Sequence, residues 1–212
     1  MSETKTTFLL ADDHSLIRQG LVFMLEEIGS DYEILQATNL SQILETVKAN
    51  EIDFAIIDAH FPNGNSLSIL PKIKEINPNI KIMIFTGIDE ATQSLKFINA
   101  GANGFLSKLS EEEEIKQAIL RMLRYGQYIS PVTQELLMSS MNNPQLINPL
   151  KSLTEREIEI AELYAKGLGN LEIASRLDLK QNTISTVKKR IFEKLNIENI
   201  VELAELIKNN HD

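Results

Sequence analysis

The sequence predicts a doubly wound, five-stranded parallel α/β sheet joined to a second, all-α helix-turn-helix domain. Three observations predict it. Residues 5 to about 128 repeat a strand-then-helix unit five times. Two of those strands are apolar without alternation, as expected where both faces of a parallel strand are covered. Residues 150 to 212 carry helical periodicity only,.

The predicted strands are Thr7–Ala11, Tyr32–Ala37, Phe54–Asp58, Lys81–Thr86 and Gly104–Ser107. Phe54-Ala55-Ile56-Ile57 and Ile82-Met83-Ile84-Phe85 are the unalternating runs, and the second strand is the weakest of the set. Between strands, Ile17, Leu21, Leu25 and Ile28 recur on one helical face after His14,. Pro71 lies inside the third helix pattern and marks a kink or a late start,. Ser110 and Glu113 have capping-box spacing ahead of Ile115, Ala118, Ile119 and Met122,. The glutamate run at 111–114 then reads as a helix start favoured by the macrodipole,.

Residues 131–149 contain three prolines, adjacent asparagines and two serines. They read as a linker, with room for a short helix over Thr133–Met141. The predicted domains are therefore residues 1–130, a linker at 131–149, and residues 150–212.

Composition narrows the function classes. The chain has 212 residues, 43% of them hydrophobic and 24% charged, which argues against disorder throughout,. It lacks cysteine, so disulfide scaffolds and thiolate metal sites are excluded,. No run approaches the ~18 apolar residues of a membrane span. The N-terminus has no signal-peptide core, and a cytoplasmic location is expected,. The net charge of −9 argues against a nucleic-acid partner until it is divided by domain,. Residues 150–212 hold ten basic and eleven acidic side chains, a net of −1, which leaves −8 for residues 1–149.

Ligands of doubly wound sheets bind beyond the carboxyl ends of the strands. Asp12 and Asp13 follow the first predicted strand, Asp58 ends the third, Thr86 ends the fourth and Lys108 follows the fifth. A strand-end aspartate alone is usually a turn former or cap. Three carboxylates, a hydroxyl and an ammonium on one rim form a more specific set. The carboxylates repel one another, and a hard dication such as magnesium relieves that while keeping water positions free for a phosphate. Asp58 is then a candidate nucleophile toward a phosphoryl group. Lys108 and Thr86 are placed to meet the transferring phosphoryl oxygens.

The turn Ala11-Asp12-Asp13-His14, the lone Asp58, Thr86-Gly87 and the run Gly101-Ala102-Asn103-Gly104-Phe105-Leu106-Ser107-Lys108 together resemble a response-regulator receiver domain, a flavodoxin-like fold. The resemblance implies that Asp58 is the phosphoacceptor. It places the metal (Mg2+) pocket on Asp12, Asp13 and Asp58 with the backbone carbonyl of His60, and puts Asp13 in direct contact with the ion. It assigns the switch pair to Thr86 and Phe105, with Thr86 moving toward the phosphate as the ring turns inward. Phenylalanine lacks the tyrosine hydroxyl common at that position. His14 is expected to shape the helix start, and His60 either influences water access to the acyl phosphate or, the favoured reading, is simply an exposed loop histidine. Aspartyl-phosphate hydrolases generally carry a second carboxylate two residues after the nucleophile. His60 stands there in this chain, so an enzyme is not expected.

In the C-terminal zone Thr154 and Glu157 have capping-box spacing for a helix through Lys166, stopped by Gly167,. Ile158, Ala161, Leu163 and Ala165 supply its apolar surface. Asn170 is the expected cap of a second helix holding Ile173, Ala174 and Leu177. A third helix begins near Gln181, with Ile184, Val187, Ile191 and Leu195 inward and Asn182, Ser185, Thr186 and Lys189 outward,. Two short helices, a turn and a helix with a polar face read as helix-turn-helix. Within residues 180–194, Lys180, Lys188, Lys189, Arg190 and Lys194 oppose only Glu193, a local net of +4,.

Leu153-Thr154-Glu155-Arg156-Glu157, Gly167 to Ala174 and Thr183 to Lys188 resemble the LuxR-type helix-turn-helix, and the whole chain resembles a NarL/FixJ-type regulator. The expected DNA contacts are Lys180, Gln181, Asn182, Thr183, Ser185, Thr186, Lys188, Lys189 and Arg190. Ser185 and Val187 depart from the lysine and histidine often found there. In the last predicted helix, Asn199–Lys208, Ile200, Leu203 and Ile207 are expected to pack on the domain. Val201 and Ala204 lie on another face, either for homodimerisation, as the resemblance implies, or for a deeper intradomain groove. The implied partners are a cognate histidine kinase or other phosphodonor, double-stranded DNA and a second copy of the chain.

Overall fold

The structure is a computed structural model that describes residues 5–29, 31–142 and 148–210. Contacts divide the chain into two units, residues 1–138 and 139–212. Residues 143–147 of the expected linker lie outside the described residues, as do Met1–Thr4 of the N-terminus.

The first unit runs β1 (Thr6–Ala11), α1 (Ser15–Ile28), β2 (Tyr32–Ala37), α2 (Leu40–Ala49) and β3 (Phe54–Ile57). A two-residue hairpin, β4 (His60–Phe61) and β5 (Gly64–Asn65), follows. Then come a 3-10 turn at Ser66–Ile69, α3 (Leu70–Ile76), β6 (Lys81–Thr86), α4 (Glu90–Asn99), β7 (Gly104–Ser107) and α5 (Glu112–Tyr125). The five-stranded sheet has the order β2-β1-β3-β6-β7, all parallel. The order reverses between β1 and β3, so their carboxyl ends form the switch-point crevice.

The unalternating strands have a direct cause. Ala55 and Ile57 of β3, with Ile82 and Ile84 of β6, face one apolar cluster that includes Ile43, Ile73 and Phe97. Phe54, Ile56, Met83 and Phe85 face a second that includes Leu21, Leu25, Ile119 and Met122. Each central strand therefore buries both faces. The weak second strand is an edge strand, with Glu33 and Gln36 exposed.

Two local expectations in this unit change. Asp58 lies just beyond β3 rather than within it. Ser110 does not cap α5. The N-cap is Glu111 with no side-chain bond, because the Ser110 N–H closes a turn onto Ser107 O and the Glu113 carboxylate accepts from Gln117 Nε2. The sequence reading did not foresee the β4–β5 hairpin, which is too short to carry a periodic signal. Pro71 does mark a late start, since α3 begins one residue before it. The expected short helix is α6 (Pro131–Asn142), and the division between the units falls inside it.

The second unit has a 3-10 turn at Pro149–Ser152, then α7 (Glu155–Ala165), α8 (Asn170–Arg176), α9 (Gln181–Leu195) and α10 (Ile200–Asn210). Ile160, Ala161, Tyr164, Ile173, Ile184, Ile191 and Leu203 form its core. Ala161 and Leu163 are buried in it and Ile158 and Ala165 pack at its edge, while Ile160 and Tyr164 join Ala161 as the deepest α7 residues. The Thr154/Glu157 capping box forms in full, and Gly167 stops α7 with φ +85°,. Asn170 is not a cap: Gly169 occupies that position and donates its N–H to Glu172 Oε2. In α10, Leu203 and Ile207 are buried, but Ile200 is exposed and does not pack as expected.

Glu157 does more than cap. Its carboxylate is 5% exposed and accepts from Lys194 Nζ at 2.7 Å. Burial opposes its charge, and the Lys194 ammonium and the Thr154 donors outweigh burial, holding the carboxyl below its usual 4.5. A depressed folded-state pKa gives stability that is full above about 4.5 and is lost as pH falls through the lower folded value,. Glu157→Gln is expected to speed amide exchange along α7 and to flatten its dependence on pH below 4.5. Glu157→Ala, which loses the cap as well, should destabilise this unit by about 1–3 kcal/mol in urea unfolding.

Candidate functional site

The crevice at the carboxyl ends of β1, β3, β6 and β7 gathers the expected polar set. Asp12 and Asp58 are 2% and 6% exposed, and Thr86 is buried at the end of β6. Lys108 Nζ reaches Asp12 Oδ2 and Asp58 Oδ2, each at 2.6 Å. Burial works against this ammonium, but its hydrogen bonds to the two carboxylates outweigh burial and hold its pKa above the ordinary lysine value,. Oxygens of Asp12, Asp13 and Asp58 and a ring nitrogen of His14 all lie within 4.8 Å of one another. His14 is the N-cap of α1 but does not cap it with its side chain; the ring instead approaches Asp12 Oδ1 at 3.0 Å and Asp13 Oδ1 at 3.1 Å. His60 is exposed, as expected, but it lies in β4 of the short hairpin rather than in a loop.

Two residues brace this rim. Arg18 donates from NH1 to the Asp12 carbonyl at 2.7 Å and from Nε to Gln36 Oε1. Ser66, fully buried, donates its hydroxyl to the Asp58 carbonyl at 2.7 Å. The β4–β5 hairpin turns the chain back so that Ser66 meets Asp58, eight residues earlier. Ser66→Ala removes that donor from a buried carbonyl and is expected to cost about 1–2 kcal/mol in urea unfolding of the first unit. An unchanged midpoint would show that the bond contributes nothing.

On the helical unit, α9 presents Gln181, Asn182, Thr183, Ser185, Thr186, Lys189 and Arg190 to solvent, with Lys180 just before it. Tyr164 OH donates to Asn170 Oδ1, and Asn170 Nδ2 donates to Ser185 Oγ at 3.0 Å, which ties α7, α8 and α9 together. The turn between α8 and α9 contains Asp178 at φ +53°. A short helix, a tight turn and a longer helix with one polar face have helix-turn-helix geometry.

A family model described as the response regulator receiver domain matches residues 8–120, and one described as bacterial regulatory proteins, luxR family, matches residues 151–207. The chain is a response regulator. The response regulator GacA of Pseudomonas aeruginosa is 34% identical to it, over 92% of this chain and 92% of GacA. UvrY of Escherichia coli K12 is 32% identical, over 93% of this chain and 91% of UvrY. Among solved structures, RcsB from Salmonella enterica serovar Typhimurium, bound to promoter P1flhDC with phosphomimetic BeF3−, superposes with a TM-score of 0.71 at 20% identity, covering 97% and 99% of the two chains. A structure of two RcsB dimers on two parallel DNAs gives 0.69 at 20% identity, covering 98% and 100%. At that identity these structures speak for the fold. No described helix is long and apolar enough to cross a membrane.

In this response regulator the tertiary structure brings Asp12, Asp13, Asp58 and Lys108 together and leaves Thr86 buried at the end of β6, its carbonyl accepting from the Lys108 N–H. It also changes the account of several residues. Phe105 is 1% exposed and packs 5.9 Å from Phe97, so its ring is already inward. A ring without a hydroxyl has no polar group to draw it toward water. Lys188 lies with its ammonium 5.4 Å and 5.2 Å from the Tyr164 and Phe192 ring centroids, held over its own domain,. Lys194 is paired with Glu157, so the local +4 overstates the positive charge that α9 presents. Val201 is exposed and Ala204 half-buried, so the deeper-groove alternative does not hold for Val201. Arg18 and Ser66 were missed. Their roles rest on bonds to main-chain carbonyls, which leave no motif in the sequence.

Proposed function

We propose that the chain is a phosphorylation-controlled transcription regulator in which Asp58 accepts a phosphoryl group from a histidine kinase or a small phosphodonor. The observation that carries this reading is the Lys108 ammonium, held at 2.6 Å by two nearly buried carboxylates at the mouth of the sheet. An Asp58 oxygen attacks phosphorus, the bond from phosphorus to the donor atom breaks, and its electron pair leaves with the donor. Lys108 neutralises charge on the phosphoryl oxygens, and Thr86 supplies a hydroxyl to one of them.

The clustered carboxylate oxygens are hard donors and fit magnesium,. Asp12, Asp13, Asp58 and the His60 carbonyl would hold it. When bound, the cation adds positive charge beside the transferring group.

The residues 1–130, 131–149 and 150–212 then act as receiver, linker and DNA-binding domain. The exposed α9 face supports entry into the major groove, with base and phosphate contacts from Lys180, Gln181, Asn182, Thr183, Ser185, Thr186, Lys189 and Arg190, and Lys188 at its edge,. Exposed Val201, with Ala204 beside it, supports pairing of two copies through α10. Thr86 carries the switch, with Phe105 as its packed support. The reading also places the protein in the cytoplasm.

Genome-wide DNA capture with and without acetyl phosphate tests the whole reading. Occupied sites should multiply with phosphodonor in the wild type and stay at the basal set in Asp58→Asn. Equal enrichment in both would sink it.

A further inference from the structure

The main chain at Asp58 is fixed at both of its polar groups. Its N–H donates to Ala11 O at 2.8 Å, at the end of β1. Its carbonyl accepts from a side chain, the hydroxyl of Ser66, at 2.7 Å. Ser66 is fully buried and follows directly on the β4–β5 hairpin. The same hydroxyl lies 3.3 Å from Ala59 O, and a hydroxyl has one hydrogen to give, so the shorter contact is the main bond,. Ala59 O is held separately, by the Ser66 N–H at 2.8 Å. That second bond is made by the main chain and persists whatever side chain residue 66 carries. Only the peptide joining Asp58 to Ala59 depends on the hydroxyl.

That peptide carries a free donor. No described peptide bond is cis, so the Ala59 N–H lies trans to the Asp58 carbonyl and points away from Ser66,. Ala59 is fully buried, and its N–H meets no protein acceptor among the described residues. Buried N–H groups without an acceptor are rare and cost free energy. The next N–H, that of His60, stands 3.5 Å from Asp58 Oδ1 and reaches the carboxylate only weakly,. Two successive N–H groups therefore follow the carboxylate with little to bond. Successive main-chain N–H groups are a recurrent way of holding anions. A small buried side chain at residue 66 would fill the space equally well as alanine. What serine adds is the bond to the Asp58 carbonyl.

We propose that Ser66 is a positioning residue for phosphoryl transfer to Asp58: its hydroxyl holds the Asp58–Ala59 peptide so that the Ala59 N–H is aimed, with the His60 N–H, at the oxygens of the arriving phosphoryl group. This rests on the reading of Asp58 as phosphoacceptor. Donors fixed in advance at the place where charge develops act on the transition state. They also act on the occupied pocket. The carboxylates that would hold magnesium are not among the groups Ser66 touches.

The test uses the full chain. Ser66→Ala should slow phosphate uptake from acetyl phosphate at saturating magnesium by about tenfold, a fraction of the ~10²-fold that outright loss of such a donor costs. Beryllofluoride binding should weaken by about the same factor. Magnesium affinity without phosphodonor, read by calorimetry, should stay within about twofold, because the carboxylate ligands are unchanged. Ser66→Thr keeps the hydroxyl and should recover most of both losses. Asn77→Ala is the control for stability. Asn77 Nδ2 donates to Ile52 O at 2.8 Å, at the amino ends of the strands, so its loss also takes a donor from a main-chain carbonyl. It should lower the urea midpoint and leave uptake and beryllofluoride binding as they are. Unchanged uptake in Ser66→Ala, an equal loss in Asn77→Ala, or magnesium affinity falling in step with uptake overturns the proposal. So does a folded Ser66→Thr that does no better than alanine, and if the added methyl prevents folding, the alanine and Asn77 variants still decide. A wild-type chain that takes up no phosphate and binds no beryllofluoride overturns the phosphoacceptor reading itself.

Discussion

Asp58→Asn is expected to reduce covalent phosphate uptake from acetyl phosphate to background and to abolish magnesium-dependent beryllofluoride binding. The amide cannot act as the carboxylate nucleophile, and it removes one of the charges that the rim offers a cation. The fold should survive, because Lys108 keeps its 2.6 Å contact to Asp12 and the change is nearly isosteric. A phosphate-affinity gel with magnesium reads the uptake, and far-ultraviolet circular dichroism reads the fold. Phosphate incorporation persisting at the wild-type level would move the acceptor elsewhere, with Asp12 and Asp13 the carboxylates nearest to hand.

The second large effect is expected on α9. Lys189 and Arg190 are exposed, whereas Lys194 is bonded to Glu157 at 2.7 Å. Removing Lys189 and Arg190 together should lower the dependence of log affinity on log salt by about two, because each phosphate contact contributes about one unit to that slope. Lys194→Met should leave the slope unchanged and lower stability instead, since it leaves a nearly buried carboxylate without its partner. Fluorescence polarisation with mixed genomic DNA fragments across a potassium chloride series measures both. If Lys194→Met changed the slope as much as the Lys189/Arg190 pair, the proposed division of labour along α9 would be wrong. Charge counted along the sequence gives all of these residues equal standing; in the fold Lys189 meets Glu193 only in a long, exposed pair at 3.8 Å, whereas Lys194 is held by a nearly buried carboxylate.

The same distinction runs through the molecule. The strands themselves were legible because central parallel strands bury both faces and must be continuously apolar. The acidic rim was legible because each member sits at the end of a strand, and strand ends of a doubly wound sheet converge on one edge. The Thr154/Glu157 capping box was legible because its bonds run between residues three apart. The Ser110/Glu113 pair had the same spacing and failed, since Ser107 claims the Ser110 N–H and Gln117 claims the Glu113 carboxylate. Asn170 failed as a cap for a related reason: Tyr164 and Ser185 occupy both ends of its amide.

What the sequence determined by itself was the α/β-plus-helical architecture, the edge of the sheet that carries the chemistry, and the helix that faces outward. These follow from periodicity and local spacing, which the chain carries in linear form. What only the tertiary structure decided were partnerships between distant residues: Ser66 with the Asp58 carbonyl, Arg18 with the Asp12 carbonyl, Lys194 with Glu157, and Glu90 with Ser130 and Thr133. A hydroxyl, ammonium or carboxylate can bond to any complementary group that folding brings within about 3 Å. Which group that is depends on how the elements pack, so no pattern along the chain announces it.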